Sequence, residues 1–170
     1  LEKLYLQKND LNGTIPESIG ACTLMTEFRV NGQLNGKLGG EIPSSFYNLE
    51  QMIRFDLRDN KFTGSLDPRI AQMQRLLDLR ISGNQMTGVL PSDALATIPD
   101  LRIFEFEGIN MDITGTVTQA LCDKRSQEGV QLVSLTANCK AAPDGFAEIE
   151  CAELCCTTCC DPQGLDCEEG

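Results

Sequence analysis

The chain lacks several residue types on which common catalytic sites depend. Its 170 residues include no His and no Trp, and only two Tyr and seven Phe. Without His, acid–base chemistry near neutral pH, Ser-His triads and His-ligated metals are excluded. The sequence also offers no nucleophile–base pair and no phosphate-binding loop. We therefore expect a protein that is not an enzyme and that carries no cofactor and no metal.

Two further shortages narrow the range of partners. The 14 basic residues are outnumbered by 25 acidic ones, and a net charge of -11 argues against a nucleic acid, which needs clustered Lys and Arg. Ten of the acidic residues but only three of the basic ones follow residue 121, so the acidic excess is concentrated near one end. The apolar runs are only a few residues long, so this sequence contains no membrane-spanning segment.

The chain instead contains a repeat with a period near 24 residues. Each copy has apolar residues at positions 1, 4, 6 and 11, followed by Gly and often by an apolar residue and Pro. The first copy consists of Leu1, Leu4, Leu6, Asn9, Leu11, Gly13, Ile15 and Pro16. The next three begin at Met25, Met52 and Leu76, the fifth has Leu101, Phe104, Phe106, Ile113, Gly115 and Val117, and the sixth is predicted to have Val130, Val133, Leu135 and Asn138.

This spacing resembles the plant-type leucine-rich repeat, L-x-x-L-x-L-x-x-N-x-L-x-G-x-I-P, over residues 1–138. The resemblance implies an α/β fold, a right-handed solenoid in which each repeat adds one strand to a parallel concave sheet. The convex side would carry short helical, 3-10 or irregular segments. The residues support this, because apolar side chains that one coil cannot enclose become buried when coils stack.

Side chains at strand positions 3, 5 and 7 should point to solvent, since they alternate with the buried positions 4 and 6. In the first two columns the charges alternate in sign from copy to copy. This pattern predicts two ion-pair ladders, Lys3–Glu27–Arg54–Asp78 and Arg29–Asp56–Arg80–Glu105. The candidate partner-binding residues on the concave face are Lys3, Tyr5, Glu27, Arg29, Arg54, Asp56, Arg58, Asp78, Arg80, Glu105 and Glu107.

The last part of the chain, residues 139–170, loses the repeat and is rich in Cys. The eight Cys expected to pair are Cys122, Cys139, Cys151, Cys155, Cys156, Cys159, Cys160 and Cys167. The Cys156-x-x-Cys159 spacing could also begin a zinc site. An even number of Cys at the end of an open repeat array favours a cap closed by disulfides, whose pairing the sequence leaves open. The ninth, Cys22, lies in an apolar slot and is expected to be a free thiol.

The run Cys-Cys-Thr-Thr-Cys-Cys resembles the C-terminal cap of leucine-rich repeat proteins from diatoms and related algae. That resemblance implies a secreted or cell-surface protein. Asn12-Gly13-Thr14 is a candidate N-glycosylation site and agrees with this location. Leu1 occupies a buried repeat position with no cap before it, so additional repeats or a partner chain should cover that end.

A solenoid with a charged concave face and no catalytic residues is typical of a binding module. The favoured function is extracellular or cell-surface protein–protein recognition, of the receptor ectodomain type. Two alternatives remain open: a structural subunit of a larger extracellular assembly, and an inhibitor of a secreted enzyme. The second of these rests on analogy of fold alone.

Overall fold

A computed structural model describes residues 1–35, 37–125, 132–140, 148–151, 155–161 and 167–169. These residues form a leucine-rich-repeat solenoid with two kinds of strand. The strands of the concave sheet are β1 (Lys3–Tyr5), β3 (Glu27–Arg29), β5 (Arg54–Asp56), β7 (Asp78–Arg80), β9 (Ile103–Glu105), β11 (Ser134–Ala137), β13 (Thr158–Cys160) and β14 (Cys167–Glu169). They lie in that order in one eight-stranded sheet, parallel throughout except for the last pair.

A second set of strands follows the turn of each coil. They form two three-stranded parallel sheets, one from β2 (Gly13–Thr14), β4 (Leu38–Glu41) and β6 (Lys61–Thr63), the other from β8 (Thr87–Val89), β10 (Asp112–Thr116) and β12 (Ile149–Glu150). The convex side carries 3-10 helices at Glu17–Ala21, Ser44–Asn48, Pro68–Gln72 and Asp123–Arg125, and the short helices α1 (Ser92–Ala96) and α2 (Gln119–Cys122). This confirms the predicted solenoid architecture.

The core lies between the concave sheet and the convex helices. In each inner coil the apolar residues at repeat positions 1, 4 and 6 are almost fully enclosed, as with Met52, Phe55 and Leu57, all at 0% exposure. Phe28, Phe46 and Phe55 pack face to edge or stacked, with ring centroids 4.4–6.1 Å apart. The first coil is less enclosed, and Leu1 is 64% exposed.

Side-chain amides tie neighbouring coils together in what we call the amide ladder, formed by Gln33, Asn60 and Asn84. Asn84 is 2% exposed. Its Nδ2 donates to the Leu57 carbonyl of the preceding coil (3.1 Å), and its Oδ1 accepts the Phe62 N–H of that coil (3.0 Å). Such a residue satisfies buried backbone groups that would otherwise be unpaired. In the second coil Gln, not Asn, takes this place.

The glycine of each coil is needed for two reasons. Gly40, Gly64, Gly88 and Gly115 all have positive φ, which L side chains rarely adopt. Each also lies under a side chain of the preceding coil: a Cβ on Gly40 would lie 2.8 Å from the Cγ2 of Thr14. The repeat therefore keeps Gly both for its turn and for the close approach of the coils.

The sixth copy has a different register from the predicted one. Leu135 pairs with Phe104 and Ser134 with Ile103, so Leu135 fills position 4 and not position 6. Leu132 is 2% exposed, whereas Val133, predicted to be buried, is 65% exposed. The observed register of this copy is shifted by two residues from the predicted one. The shift places Leu side chains, which are larger than Val, in the core. Val130 lies outside the described residues.

The cysteine-rich end continues the concave sheet. β13 pairs in parallel with β11, and β14 then turns antiparallel to β13. All eight predicted Cys form disulfides, which pair Cys122 with Cys155, Cys139 with Cys159, Cys151 with Cys156, and Cys160 with Cys167. The first two join the last repeats to the cap. Cys22 is the free thiol and packs against the core, as predicted.

Removing a ladder amide should destabilise the solenoid as a whole. We expect Asn84→Ala to lower the free energy of unfolding by about 2–4 kcal/mol, because it leaves a buried N–H and three carbonyls without their partner. The matched control is Asn9→Ala, whose amide bonds, among the described residues, only to carbonyls of its own coil. Denaturant titration measures both, and equal losses would contradict the role assigned to the buried ladder.

The disulfides should matter chiefly for the cap. We expect the double variant Cys139→Ser/Cys159→Ser to lose about 3 kcal/mol, because the bond closes a loop with a sequence separation of 20. Amide exchange should rise first in β13 and β14, where the cap joins the sheet. Cys22→Ser is the control and should change little. Exchange that rises evenly along the chain would contradict a local role for this bond.

Candidate functional site

The candidate site is the outward face of the concave sheet. Strand alternation buries the middle residue of each strand, such as Phe28, Phe55, Leu79 and Phe104, all at 0–2% exposure. The residues on either side therefore face outward. The strand register forms two columns of neighbours, one in the order Lys3, Glu27, Arg54, Asp78 and the other in the order Tyr5, Arg29, Asp56, Arg80. Arg58 and Glu107 follow β5 and β9 and extend the same face through their side-chain contacts.

The first ladder forms as predicted. The Lys3 Nζ lies 2.8 Å from the Glu27 Oε1, and the Arg54 Nη1 lies 3.8 Å from its Oε2. On its other side the Arg54 Nε lies 3.2 Å from the Asp78 Oδ2. Four coils are thus linked by pairs of opposite charge at fixed strand spacing. Because these groups are partly exposed, each pair contributes modestly to stability.

Glu27 is the most heavily engaged carboxylate of this ladder. Its side chain is only 11% exposed, and it also accepts a 2.6 Å hydrogen bond from the Arg29 Nη2. These partners lower the pKa of Glu27 to about 2; the hydrogen bond from Lys3 is the largest cause, and partial burial opposes it. The Arg29 guanidinium also lies 5.1 Å from the centroid of the Tyr5 ring.

The second ladder forms only in part. Arg80 pairs with Glu105 at 3.2 Å, as predicted. Among the described residues Arg29 turns to Glu27 instead of Asp56, and Asp56 is held by Arg58, with Nε–Oδ1 2.9 Å and Nη2–Oδ2 2.8 Å. Asp56 pairs with Arg58 because the Arg58 guanidinium, just after the end of the same strand, donates a hydrogen bond to each of its carboxylate oxygens. Arg58 also reaches Glu105 two coils away, at 3.3 Å.

The two signs of charge lie at different depths. The side chains of Glu27, Asp56, Glu105 and Asp78 are 11, 12, 18 and 21% exposed. Those of Arg80, Arg58, Arg29 and Arg54 are 25, 31, 33 and 45% exposed. The carboxylates are short and lie near the sheet, whereas the guanidiniums extend over them. The face therefore presents mainly guanidinium to a ligand, which the alternating sequence did not reveal.

The guanidiniums enclose a concavity that we call the arginine pocket, lined by Arg29, Arg54, Arg58 and Arg80. Its volume is about 300 Å³, and Asp56 and Asp78 complete its floor. Ion pairs to the carboxylates fix the arginine side chains, so little flexibility is lost when a ligand binds. Planar guanidinium groups held in this way can donate paired hydrogen bonds to an anionic group.

Glu107 lies in a different environment from the ladder acids. Its Oε2 accepts a 2.7 Å hydrogen bond from the Ser82 hydroxyl. Burial raises the pKa of Glu107, which the Ser82 bond only partly offsets. Burial therefore disfavours the charged form of Glu107 in the folded protein.

The structure also contains a larger hollow away from the concave sheet, which no pattern in the residues predicts. Its volume is about 680 Å³, and its lining includes Tyr47, Asp67 and Arg69. Asp67, which replaces the Pro of other repeats, accepts the Arg69 N–H at 2.7 Å and so caps the following 3-10 helix. Burial raises the pKa of Tyr47 to about 12.

The remaining predicted positions lie outside this face. Asn12 is exposed just before β2, where the sequon remains a prediction. The sulfurs of Cys139, Cys151, Cys156 and Cys159 lie within 4.8 Å of one another, but they are paired as two disulfides and not as free ligands for zinc. In the part of the chain that the structure describes, no helix has the length and hydropathy needed to cross a membrane.

The low pKa of Glu27 predicts how stability depends on pH. A carboxylate with a depressed folded pKa stabilises the protein above its unfolded pKa of 4.5, and that stabilisation is lost as the pH falls towards about 2. We expect Glu27→Gln to cost on the order of 2 kcal/mol at pH 7 and almost nothing near pH 2. Chemical denaturation across this range measures the difference.

Glu107→Gln is the matched control because its pKa is shifted the other way. A raised folded pKa destabilises the ionised form, so this variant should be neutral or more stable at pH 7. A Glu27→Gln loss that stays constant from pH 7 to pH 2 would contradict the charge-based origin of the effect.

Comparison with known proteins gives three kinds of match. The family model for the leucine-rich repeat matches residues 1–22. The chain is 34% identical over 79 residues to the leucine-rich repeat receptor protein kinase MSL1 of Oryza sativa subsp. japonica, and 31% identical over 112 residues to receptor-like protein 39 of Arabidopsis thaliana. These alignments cover 46% and 65% of this chain but only 5% and 12% of the relatives, so the chain spans a small part of their length.

Solved structures agree with the repeat geometry. The plant peptide hormone receptor RGFR1 in complex with RGF2 is 28% identical, with a TM-score of 0.65, covering 72% of this chain and 19% of that one. The Arabidopsis receptor kinase HAESA in complex with the peptide hormone IDA and the co-receptor SERK1 is 25% identical, with a TM-score of 0.68, covering 88% and 26%. The chain thus has a leucine-rich-repeat solenoid fold similar to that of these plant receptor structures.

Proposed function

We propose that this protein is a recognition module that binds a polypeptide partner across its concave face, at the cell surface or outside the cell. It acts by contact and not by catalysis, as part of a receptor-type ectodomain. The arginine pocket carries the proposal, because it is a preformed concavity on the face that the fold leaves open. Two similar structures were solved with peptide hormones bound, which supports a peptide as the ligand here.

The chemistry of the pocket defines the partner. Four guanidiniums lie above carboxylates that are already paired with them. An acidic side chain of the partner would receive paired N–H groups from Arg54 and Arg80 without having to displace a buried charge. The partner is therefore a polypeptide segment with at least one Asp or Glu placed over the centre of the sheet.

Apolar contact would come from two exposed side chains, one at the first strand and one beside β11. Tyr5 is 48% exposed at the first strand and Val133 is 65% exposed beside the start of β11. Tyr and Arg are the residue types that most often dominate binding energy at interfaces. With a single exposed aromatic among the predicted positions, the face offers little of the ring stacking that sugar ligands use. A polypeptide fits this mixture better than a carbohydrate.

The location is supported by the disulfides. Four bonds close the cap and tie it to the repeats. Disulfides persist in oxidising compartments and are rare in the cytosol, where thiols are kept reduced. The exposed sequon at Asn12 is consistent with passage through the secretory pathway.

Reversing the charge of the pocket should abolish binding. Selection of phage-displayed random peptides on the wild-type protein should enrich sequences rich in Asp or Glu. We expect Arg54→Glu/Arg80→Glu to lose these peptides at least tenfold in affinity, since like charges would then face the acidic side chain. The thermal midpoint should show that the variant stays folded.

The matched control is Lys61→Glu/Arg75→Glu, which makes the same change in net charge away from the concave sheet. Lys61 lies in β6 and Arg75 follows a 3-10 helix, and both are exposed. This variant should bind the peptides as the wild type does. Equal loss in both variants would show that only net charge matters, and unchanged binding in the pocket variant would disprove the proposal.

A further inference from the structure

Two of the cap disulfides lie side by side. The four sulfurs that form them all lie within 4.8 Å of one another, although each is bonded to only one other sulfur. We call this group the sulfur cluster, and its members are Cys139, Cys151, Cys156 and Cys159. Among the described residues it is the one group of Cys, Asp or Glu side chains with the spacing of a metal site.

Backbone hydrogen bonds hold one pair of these Cys in place, independently of the bond between their sulfurs. Cys159 lies in β13, where the strand register pairs it with Ala137 of β11, two residues before Cys139. Directly after Cys139 the Lys140 N–H donates to the Cys160 carbonyl at 3.0 Å. Both sides of the pair are therefore fixed by the sheet.

The other pair is held to the same sheet. Cys151 directly follows β12, whose Ile149 N–H donates to the Asn138 carbonyl at 3.2 Å. Cys156 is 2% exposed, and the N–H of the next residue, Thr157, donates to a carbonyl of β11 at 2.9 Å. The backbone therefore gathers all four sulfurs at one place, and breaking the sulfur–sulfur bonds leaves the thiols close together.

Four thiolates gathered in this way match the ligand set of zinc. A tetrahedral Zn²⁺ site has Zn–S bonds of about 2.3 Å, so its sulfurs lie about 3.8 Å apart. Once the disulfides are open, sulfur shifts on the order of 1 Å convert the present spacing into that one. Cys156 and Cys159 also have the two-residue spacing common in structural zinc sites. Soft thiolate ligands favour zinc over calcium or magnesium.

We propose that the reduced cap binds one Zn²⁺ through the four thiolates of the sulfur cluster. Each disulfide first accepts two electrons and two protons from a dithiol, which is itself oxidised to a disulfide. Zinc then displaces the protons of the four thiols and forms four Zn–S bonds. Oxidation by another disulfide reverses both steps and releases the metal. The cap is thus closed by zinc in its reduced state and by disulfides in its oxidised state.

The other four paired Cys do not belong to this site. Cys160 follows Cys159 in β13, so the two side chains lie on opposite faces of the strand, and Cys160 bonds with Cys167. Cys155 bonds with Cys122 of α2. These residues therefore provide controls that remove a disulfide without removing a zinc ligand.

Metal titration of the full chain tests the proposal. The chain is reduced with dithiothreitol, which is then removed under anaerobic conditions. We expect it to bind one Co²⁺ with the visible and near-ultraviolet absorption of a tetrahedral tetrathiolate, and an equal amount of Zn²⁺ should displace the cobalt. Close to four protons per Zn²⁺ should be released at pH 7, where free thiols are protonated. A reduced chain without these absorption bands overturns the proposal.

Two double variants show which thiols hold the metal. Cys139→Ser/Cys156→Ser removes one ligand from each disulfide of the sulfur cluster, and it should weaken Co²⁺ binding at least tenfold because hydroxyls replace soft thiolates. The matched control, Cys122→Ser/Cys155→Ser, removes the same number of thiols and should keep both the spectrum and one Co²⁺ per chain. Equal weakening in the two variants would mean that any available thiols suffice, and the assigned site would be wrong.

Amide exchange distinguishes a folded site from zinc bound to an unfolded segment. The N–H groups of Lys140 and Thr157 bond across the sheet on either side of the sulfur cluster. In the reduced chain both should exchange at least tenfold more slowly with zinc than without it, because the metal stabilises the folded cap. If zinc binds but leaves these exchange rates unchanged, the site does not form in the folded cap and the proposal fails.

Discussion

A coil of this solenoid cannot satisfy its own buried backbone, and this constraint underlies the rest of the structure. Each turn leaves N–H and C=O groups that no regular ladder pairs, in a place where water is excluded. Gln33, Asn60 and Asn84 resolve this by bonding to their own coil and to the preceding one at once. The same contacts set the distance at which coils stack, so the apolar residues of positions 1, 4 and 6 meet in one continuous core. Stability is therefore a property of neighbouring coils and not of any single one.

Fixed stacking also determines the character of the binding face. Because strands lie side by side in register, each outward side chain has the equivalent side chain of the next coil as its neighbour. Like charges in a column would repel, and the alternation of Lys3, Glu27, Arg54 and Asp78 avoids this. The short Asp and Glu side chains keep their carboxylates near the sheet, whereas the long Arg side chains extend their guanidiniums above them. The negative and positive charges therefore lie at different distances from the sheet. A nearly balanced set of charges thus presents mostly cationic groups to a ligand.

Much of this arrangement could be predicted from the residues, and the exceptions have clear physical causes. Periodicity alone indicated the repeat, the buried and exposed alternation, the first ion-pair ladder and the free thiol of Cys22. Periodicity did not predict the partner of Asp56, because two arginines lie within reach and the sequence does not show which of them adopts the rotamer that forms the ion pair. It failed for the sixth copy, where Val133 and Leu135 are both apolar and the register depends on which packs better. The disulfide pairing could not be predicted from periodicity, since eight Cys can pair in on the order of 100 ways.

The cysteine-rich part of the chain shows how a stack of coils can be closed. A parallel stack of coils has a direction, because each coil gives a side chain to the next and receives one from the coil before. At the cap, β14 runs antiparallel to β13 and disulfides join the cap to the last repeats, so the surface through which a coil contacts the next one is covered there. In the sequence the acidic excess is concentrated after residue 121, whereas the repeats before it are nearly balanced in charge. In the nearly balanced repeats the charge columns alternate in sign, so the outward side chains of neighbouring coils attract one another instead of repelling.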